Sequence, residues 1–152
     1  MNEDLIQIQD PIDYVDEWNY PYFTMEEMIC KHSNILGYDA RFMDSLVALR
    51  EKCGFGFPVT SYYRHADANN LDLTHPIEKR KYEKSKKFGS HSTGKAIDLG
   101  LDRERAYIVL KTAMDMGVFT GIGVNQKGES RFIHLDTCLA QDGFARPTIW
   151  SY

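Results

Sequence analysis

The sequence is poor in cysteine. Its three cysteines, Cys30, Cys53 and Cys138, are odd in number and widely spaced. That excludes a disulfide framework as the organising device, and three reduced, largely buried thiols are expected instead. No stretch approaches the roughly 18 to 20 apolar residues that span a bilayer, so no membrane insertion is expected. A basic excess is missing too. The chain carries 18 Lys+Arg against 22 Asp+Glu, a net charge of -4. A duplex-DNA binder ordinarily carries surplus cations to neutralise phosphates, so nucleic acid is not an expected partner. Met1-Asn2-Glu3-Asp4 lacks the basic region and apolar core of a signal peptide. There is no Gly-rich phosphate loop, no Gly-x-Ser-x-Gly elbow and no internal repeat.

What is present is ordinary globular material. The chain has 152 residues, 43% hydrophobic and 26% charged. That suffices for one domain with a real core, here taken as residues 1–152. Residues 1–22, with Pro11 and Pro21, show no period and read as an N-terminal arm. Thr24 followed by Glu27 has the form of a capping box and predicts a short helix ending near Ser33. Phe42, Leu46, Leu49 and Cys53 recur at steps of three and four, predicting a helix from about Asp39 that Gly54 stops. Phe57 to Tyr63 is β-branched and aromatic and reads as a strand.

Residues 65–90 are polar and irregular and read as a long loop. Its basic run, Lys79, Arg80, Lys81, Lys84, Lys86 and Lys87, reads either as a solvated face or as an attractor for an anionic polymer. Ala96 to Leu101 alternates as a second strand. Asp102 should cap a helix whose apolar face is Ala106, Val109, Leu110, Ala113 and Met114, ended by Gly117. Val118 to Val124 and Arg131 to Asp136 read as strands joined by a hairpin turn. The tail from Arg146 to Tyr152 is apolar enough to dock on the core. This order predicts an α+β fold with a small antiparallel sheet and helices packed on one side.

Chemistry concentrates at two places. In Gly89-Ser90-His91-Ser92-Thr93-Gly94-Lys95-Ala96-Ile97-Asp98, small residues let a turn bring His91 back beside the strand carrying Asp98. In Phe132-Ile133-His134-Leu135-Asp136, strand geometry puts His134 and Asp136 on one face and the two aliphatics on the other. His, Asp and His are a three-ligand zinc set with a fourth position open. The spacing alone leaves a hydrogen-bonded cluster as the other reading. Cys30-Lys31-His32 has no second ligand pair at finger spacing, and His65 and His75 sit in the polar segment, where solvation is expected.

Taken together, Thr60-Ser61-Tyr62-Tyr63-Arg64, the His91-x-x-Gly94-x-Ala96-x-Asp98 stretch and Phe132-Ile133-His134-Leu135-Asp136 resemble the zinc D-Ala-D-Ala carboxypeptidase family. That family includes the VanY-like carboxypeptidases and small phage endolysin peptidases, within the hedgehog/D-Ala-D-Ala peptidase superfamily. The likeness runs from about Phe23 to the end and includes the Arg-Pro-x-x-Trp-Ser-Tyr tail. It implies a zinc peptidase domain over 23–152, with one Zn(2+) per chain on His91, Asp98 and His134. It implies that Arg64 binds substrate or the developing oxyanion, with Ser61, Tyr63 and Ser90 lining the substrate site. It implies hydrolysis of peptide bonds in the peptidoglycan stem peptide, by a monomer.

Two departures matter. Gly89 stands where the family usually has Ser, with Ser90 one place on, and Arg131 and Phe132 stand where relatives carry a base. Asp136 and Glu129 are the acids left to consider, Asp136 either as base or as a group orienting a ligand histidine. Without a leader, a phage product reaching the wall through a holin or with the virion is the expected setting. The other readings are a non-catalytic zinc module that binds cell wall or protein, and a structural virion protein.

Overall fold

Successive side chains of a pleated strand take opposite faces, and here that alternation divides a sheet into an apolar face and a chemical one. The structure is a computed structural model and describes residues 4–11 and 16–152. Its elements in chain order are β1 (Leu5–Ile8), α1 (Met25–Met28), β2 (Leu36–Asp39), α2 (Ala40–Cys53), β3 (Val59–Ser61) and α3 (Pro76–Ser85). A 3-10 helix (Ser90–Thr93), β4 (Ala96–Leu99), α4 (Arg103–Met116), β5 (Gly121–Asn125), β6 (Phe132–Asp136), a second 3-10 helix (Ala140–Asp142) and β7 (Thr148–Ser151) follow. β1 and β2 form an antiparallel pair, and the other five strands form one sheet in the order β3-β4-β6-β5-β7.

On one face of that sheet Ile97, Leu99, Ile122, Ile133 and Leu135 join a single core with Phe42, Leu46 and Leu49 of α2 and Ala106, Val109 and Ala113 of α4. Each large aliphatic buried there stabilises the fold by about 1.5–3 kcal/mol. On the opposite face the strand register lines up Ser61, Asp98, His134, Gly123 and Trp150 in one row across all five strands. The next row is Ala96, Asp136, Gly121 and Thr148. The apolar face fixes the register, because a one-residue slip would turn Ile133 and Leu135 outward. The chemical row is therefore held in place by burial on the other side.

The fold is α+β with a small mixed sheet, not a purely antiparallel one. β7 runs parallel to β5, with Thr148 N–H donating to Thr120 O at 2.8 Å. The tail thus docks by backbone pairing at a sheet edge. The N-terminal arm is described only in part, since residues 1–3 and 12–15 lie outside the described residues. Leu5–Ile8 within it pairs with β2. α1 is one turn long and stops at Ile29, short of Ser33. α2 starts and stops where expected: Asp39 caps it, its Oδ1 accepting from Phe42 N–H at 2.8 Å, and Gly54 ends it in a left-handed conformation. The Asp102 side chain makes no capping bond to α4. It pairs instead with Arg103 Nη1 at 3.3 Å.

The polar stretch 65–90 is not a structureless loop, for it contains α3. Pro76 at the first turn, with His75 Nδ1 accepting from Ile77 N–H at 3.2 Å, starts that helix. Its one buried residue is Glu78, so it carries no apolar stripe. His65 is not solvated either. It is 5% exposed, and its Nδ1 hydrogen-bonds the Tyr63 hydroxyl at 3.0 Å. Cys30 and Cys138 are buried free thiols, and Cys53 is half-buried.

Candidate metal centre

His91 comes from the 3-10 helix that precedes β4. Gly94 ends that helix at φ 72°, and a side chain there would run into the Tyr38 backbone at 2.9 Å. Only glycine makes this turn without strain, and the turn lays His91 over Asp98. His134 stands beside Asp98 because the two are register partners on β6 and β4. His91 Nε2 lies 3.2 Å and His134 Nδ1 2.9 Å from the same atom, Asp98 Oδ1. The three ligand atoms all lie within 4.8 Å of one another, and all three residues are buried. Ligands of a tetrahedral zinc at about 2.1 Å stand roughly 3.4 Å apart, close to the two shorter separations.

Hydrogen bonding on the far side of each ring sets what faces the cluster. His91 Nδ1 lies 2.6 Å from Tyr62 O. A carbonyl can only accept, so Nδ1 carries the proton and Nε2 presents a lone pair. His134 Nε2 lies 2.7 Å from Asp136 Oδ2, which assigns it the donor role and leaves Nδ1 as the lone pair. Two imidazole lone pairs and a carboxylate oxygen then converge on one point. Such a convergence repels itself unless a cation sits in it. The His91/Asp98/His134 set is geometrically consistent with one Zn(2+) per chain.

The charges agree with this. Burial lowers the His91 pKa below its ordinary value, against the pull of Asp98. Burial opposes the charge of Asp98, yet the His91 and His134 imidazoles outweigh it and hold the carboxyl well below the usual carboxylate range. Burial likewise opposes a charged His134, but Asp136 and Asp98 raise its pKa. In the ion-free arrangement a proton meets the need that a metal meets otherwise, and metal binding displaces protons from such sites.

Asp136 is wholly buried, and all its acceptor capacity is used. Oδ1 accepts from Arg146 Nε at 2.9 Å and from Cys138 N–H at 3.2 Å. Oδ2 accepts from Arg146 Nη2 at 2.7 Å and from His134 Nε2. Four bonds on four lone-pair sites leave none for a water. Of the two roles considered for Asp136, base and orienting group, its bond to His134 Nε2 has the geometry of the second. Glu129 is exposed in the hairpin and is not part of the cluster.

Arg64 is at the site. Its Nη2 is 3.4 Å from Asp98 Oδ2, and its Nε donates to Ser61 Oγ at 3.1 Å. Ser90 is half-buried in the same turn as His91. Tyr63 is not available there: it is 2% exposed, with its hydroxyl taken by Gln7 and His65. Sequence reasoning missed three contributors. Tyr62 holds both ends of the turn, its carbonyl on His91 and its hydroxyl donating to Gly94 O at 2.6 Å. Arg146 fixes Asp136. Trp150, 5.0 Å from the His134 ring, walls the row. The signal for the last two was the Arg and Trp of the tail, which carry no spacing rule that ties them to a histidine.

Comparison with protein-family models, curated proteins and solved structures gave no match. The metal assignment rests on the donor set itself, which supports a metalloenzyme centre of hydrolytic type. Among the described residues no helix is long and apolar enough to cross a membrane.

Proposed function

We propose that the chain is a zinc-dependent peptidase of the zinc D-Ala-D-Ala carboxypeptidase family, with a hedgehog/D-Ala-D-Ala peptidase-like fold, cutting peptide bonds in bacterial peptidoglycan. The observation that carries the reading is the convergence of His91 Nε2, Asp98 Oδ1 and His134 Nδ1 beside a cationic fork. Zinc held there supplies Lewis acidity that polarises a carbonyl and activates water. The chain's own residues do the rest. Tyr62 and Asp136 hold the two imidazoles in the tautomers that present lone pairs. Arg64 offers guanidinium N–H groups to a substrate carboxylate or to the oxygen that gains charge as the peptide carbonyl is attacked. Ser61 accepts from Arg64 Nε, and Ser90 lies in the turn that carries His91. A cavity of about 840 Å³ bordered by Lys87, Phe88, Ser92 and Phe144 lies beside the His91 turn, and neither Arg64 nor any of the three ligand residues lines it. The substrate is then the stem peptide, cleaved as a D,D-carboxypeptidase or as an L-Ala-D-Glu endopeptidase. The setting is a phage-encoded monomer delivered to the wall by holin or virion.

The fully committed oxygens of Asp136 favour one second reading, a non-catalytic zinc module that binds cell wall or protein and needs no base. Digestion of purified peptidoglycan, followed by mass spectrometry of the products, separates the two. The peptidase reading expects new stem-peptide termini that vanish with a chelator and in His91→Ala. Intact peptidoglycan with a zinc-loaded protein sinks it.

A further inference from the structure

Glu78 is a wholly buried carboxylate outside the metal cluster, and it is the one buried residue of α3. Buried charges persist where cations or donors meet them. Its Oε2 accepts from Gly89 N–H at 2.5 Å, two residues before His91. Among the described residues its Oε1 has no hydrogen-bond partner. Two cations approach that oxygen without reaching hydrogen-bond distance, Arg64 Nη1 at 4.0 Å and Lys81 Nζ at 3.9 Å. Arg64 is therefore held on three edges, by Ser61 at Nε, by Asp98 at Nη2 and by Glu78 at Nη1. Of these, Asp98 is also a ligand of the cluster, and its charge is shared with it. Ser61 is neutral. Glu78 is the one full counter-charge that the cluster does not share.

We infer that Glu78 is the positioning residue for Arg64, fixing the guanidinium beside Asp98 while its other oxygen fixes the approach to His91. The functional weight of this rests on the proposed role of Arg64. The placement itself does not. Lys81, half-exposed and on the same helix, competes with Arg64 for Oε1 and so sets how firmly the fork is held.

The test reads Arg64 directly. In zinc-loaded protein the Arg64 Nε–H signal is identified in 1H–15N spectra by its loss in Arg64→Lys. Glu78→Gln keeps an acceptor for Gly89 and removes the charge. It should speed hydrogen exchange at Arg64 Nε–H several-fold and lower its heteronuclear NOE, with zinc content and the Gly89 amide unchanged. A purely structural role for Glu78 would leave Arg64 alone. Lys81→Met, at a half-exposed position, should do the opposite and slow that exchange. An Arg64 signal unchanged in Glu78→Gln overturns the inference. If that variant does not fold, an unchanged signal in Lys81→Met overturns it. Peptidoglycan digestion by the same proteins separates the two ideas. In the Arg64→Lys background, Glu78→Gln should add no further loss of turnover. An inactive wild type that still shows the Arg64 effects defeats the peptidase reading and leaves Glu78 in place.

Discussion

Adding one methyl group at Gly121 should weaken zinc binding without touching a ligand. Gly121 is the register partner of Asp136, and a Cβ built there overlaps all three outer atoms of the Asp136 carboxylate. Reaching ordinary contact requires a retreat of about 1 Å. The carboxylate has no such slack. It is held by bonds of 2.7 Å to His134 and of 2.7 and 2.9 Å to Arg146, and lengthening them by that amount takes them past useful geometry. In Gly121→Ala, His134 therefore loses the acceptor that fixes its tautomer. Losing such a partner costs about 10- to 100-fold in metal affinity, or roughly 1.4–2.8 kcal/mol. Overpacking should add about 1–3 kcal/mol of destabilisation. Gly123→Ala is the matched control. Its methyl meets Trp150 at 2.7 Å and Tyr152 at 2.9 Å, rings toward the sheet edge that can swing outward, and does not press on Asp136. Competition against a chromophoric chelator at pH 7 gives the affinities, and urea unfolding gives the stabilities. Gly121→Ala that binds zinc within twofold of wild type, while showing the stability loss, would refute the claim that Asp136 holds His134 for the metal.

Arg146→Met should leave the Asp136 carboxylate buried without its bidentate partner and cost about 3–5 kcal/mol in urea unfolding, and Arg146→Lys should recover only part of it. His65 has its pKa lowered by burial, so the unfolded chain binds its proton more readily and stability falls as pH drops below about 6.5. His65→Gln should flatten that limb of a stability-against-pH curve, and an unchanged slope would show that His65 binds its proton equally well in the folded and unfolded states. Iodoacetamide should label Cys53 first. Burial, reinforced by Asp136, pushes the Cys138 thiol up to about 12, so its labelling should wait for unfolding, as mass spectrometry of timed samples would show.

Sequence pattern disclosed the elements whose reasons are local. α2 was legible because Asp39, the Phe42-Leu46-Leu49 face and Gly54 are start, stripe and stop within one segment. β6 was legible because Ile133 and Leu135 alternate with His134 and Asp136. α3 was not, because its one buried residue is charged and leaves no apolar period to detect. β7 was not, because its partner in the parallel pairing lies across the second 3-10 helix, and no local signal encodes that return. The same reason hid Arg146, whose meaning is set by a carboxylate on another strand. His65 illustrates the converse error. It sits among polar residues in sequence, yet Tyr63 and the backbone of His75 enclose it.

The segment 65–90 departs and returns at a single point. Arg64 N–H donates to His91 O at 3.1 Å, and inside the excursion His75 N–H donates to His65 O at 2.8 Å. The frame that holds the cluster is closed beneath it. Loop-closure entropy grows only with the logarithm of length, about 0.6 kcal/mol per doubling. This stretch thus tolerates changes of length and charge at its exposed positions, retuning what approaches the centre, provided that buried His65, Thr74 and Glu78 keep their contacts with the frame.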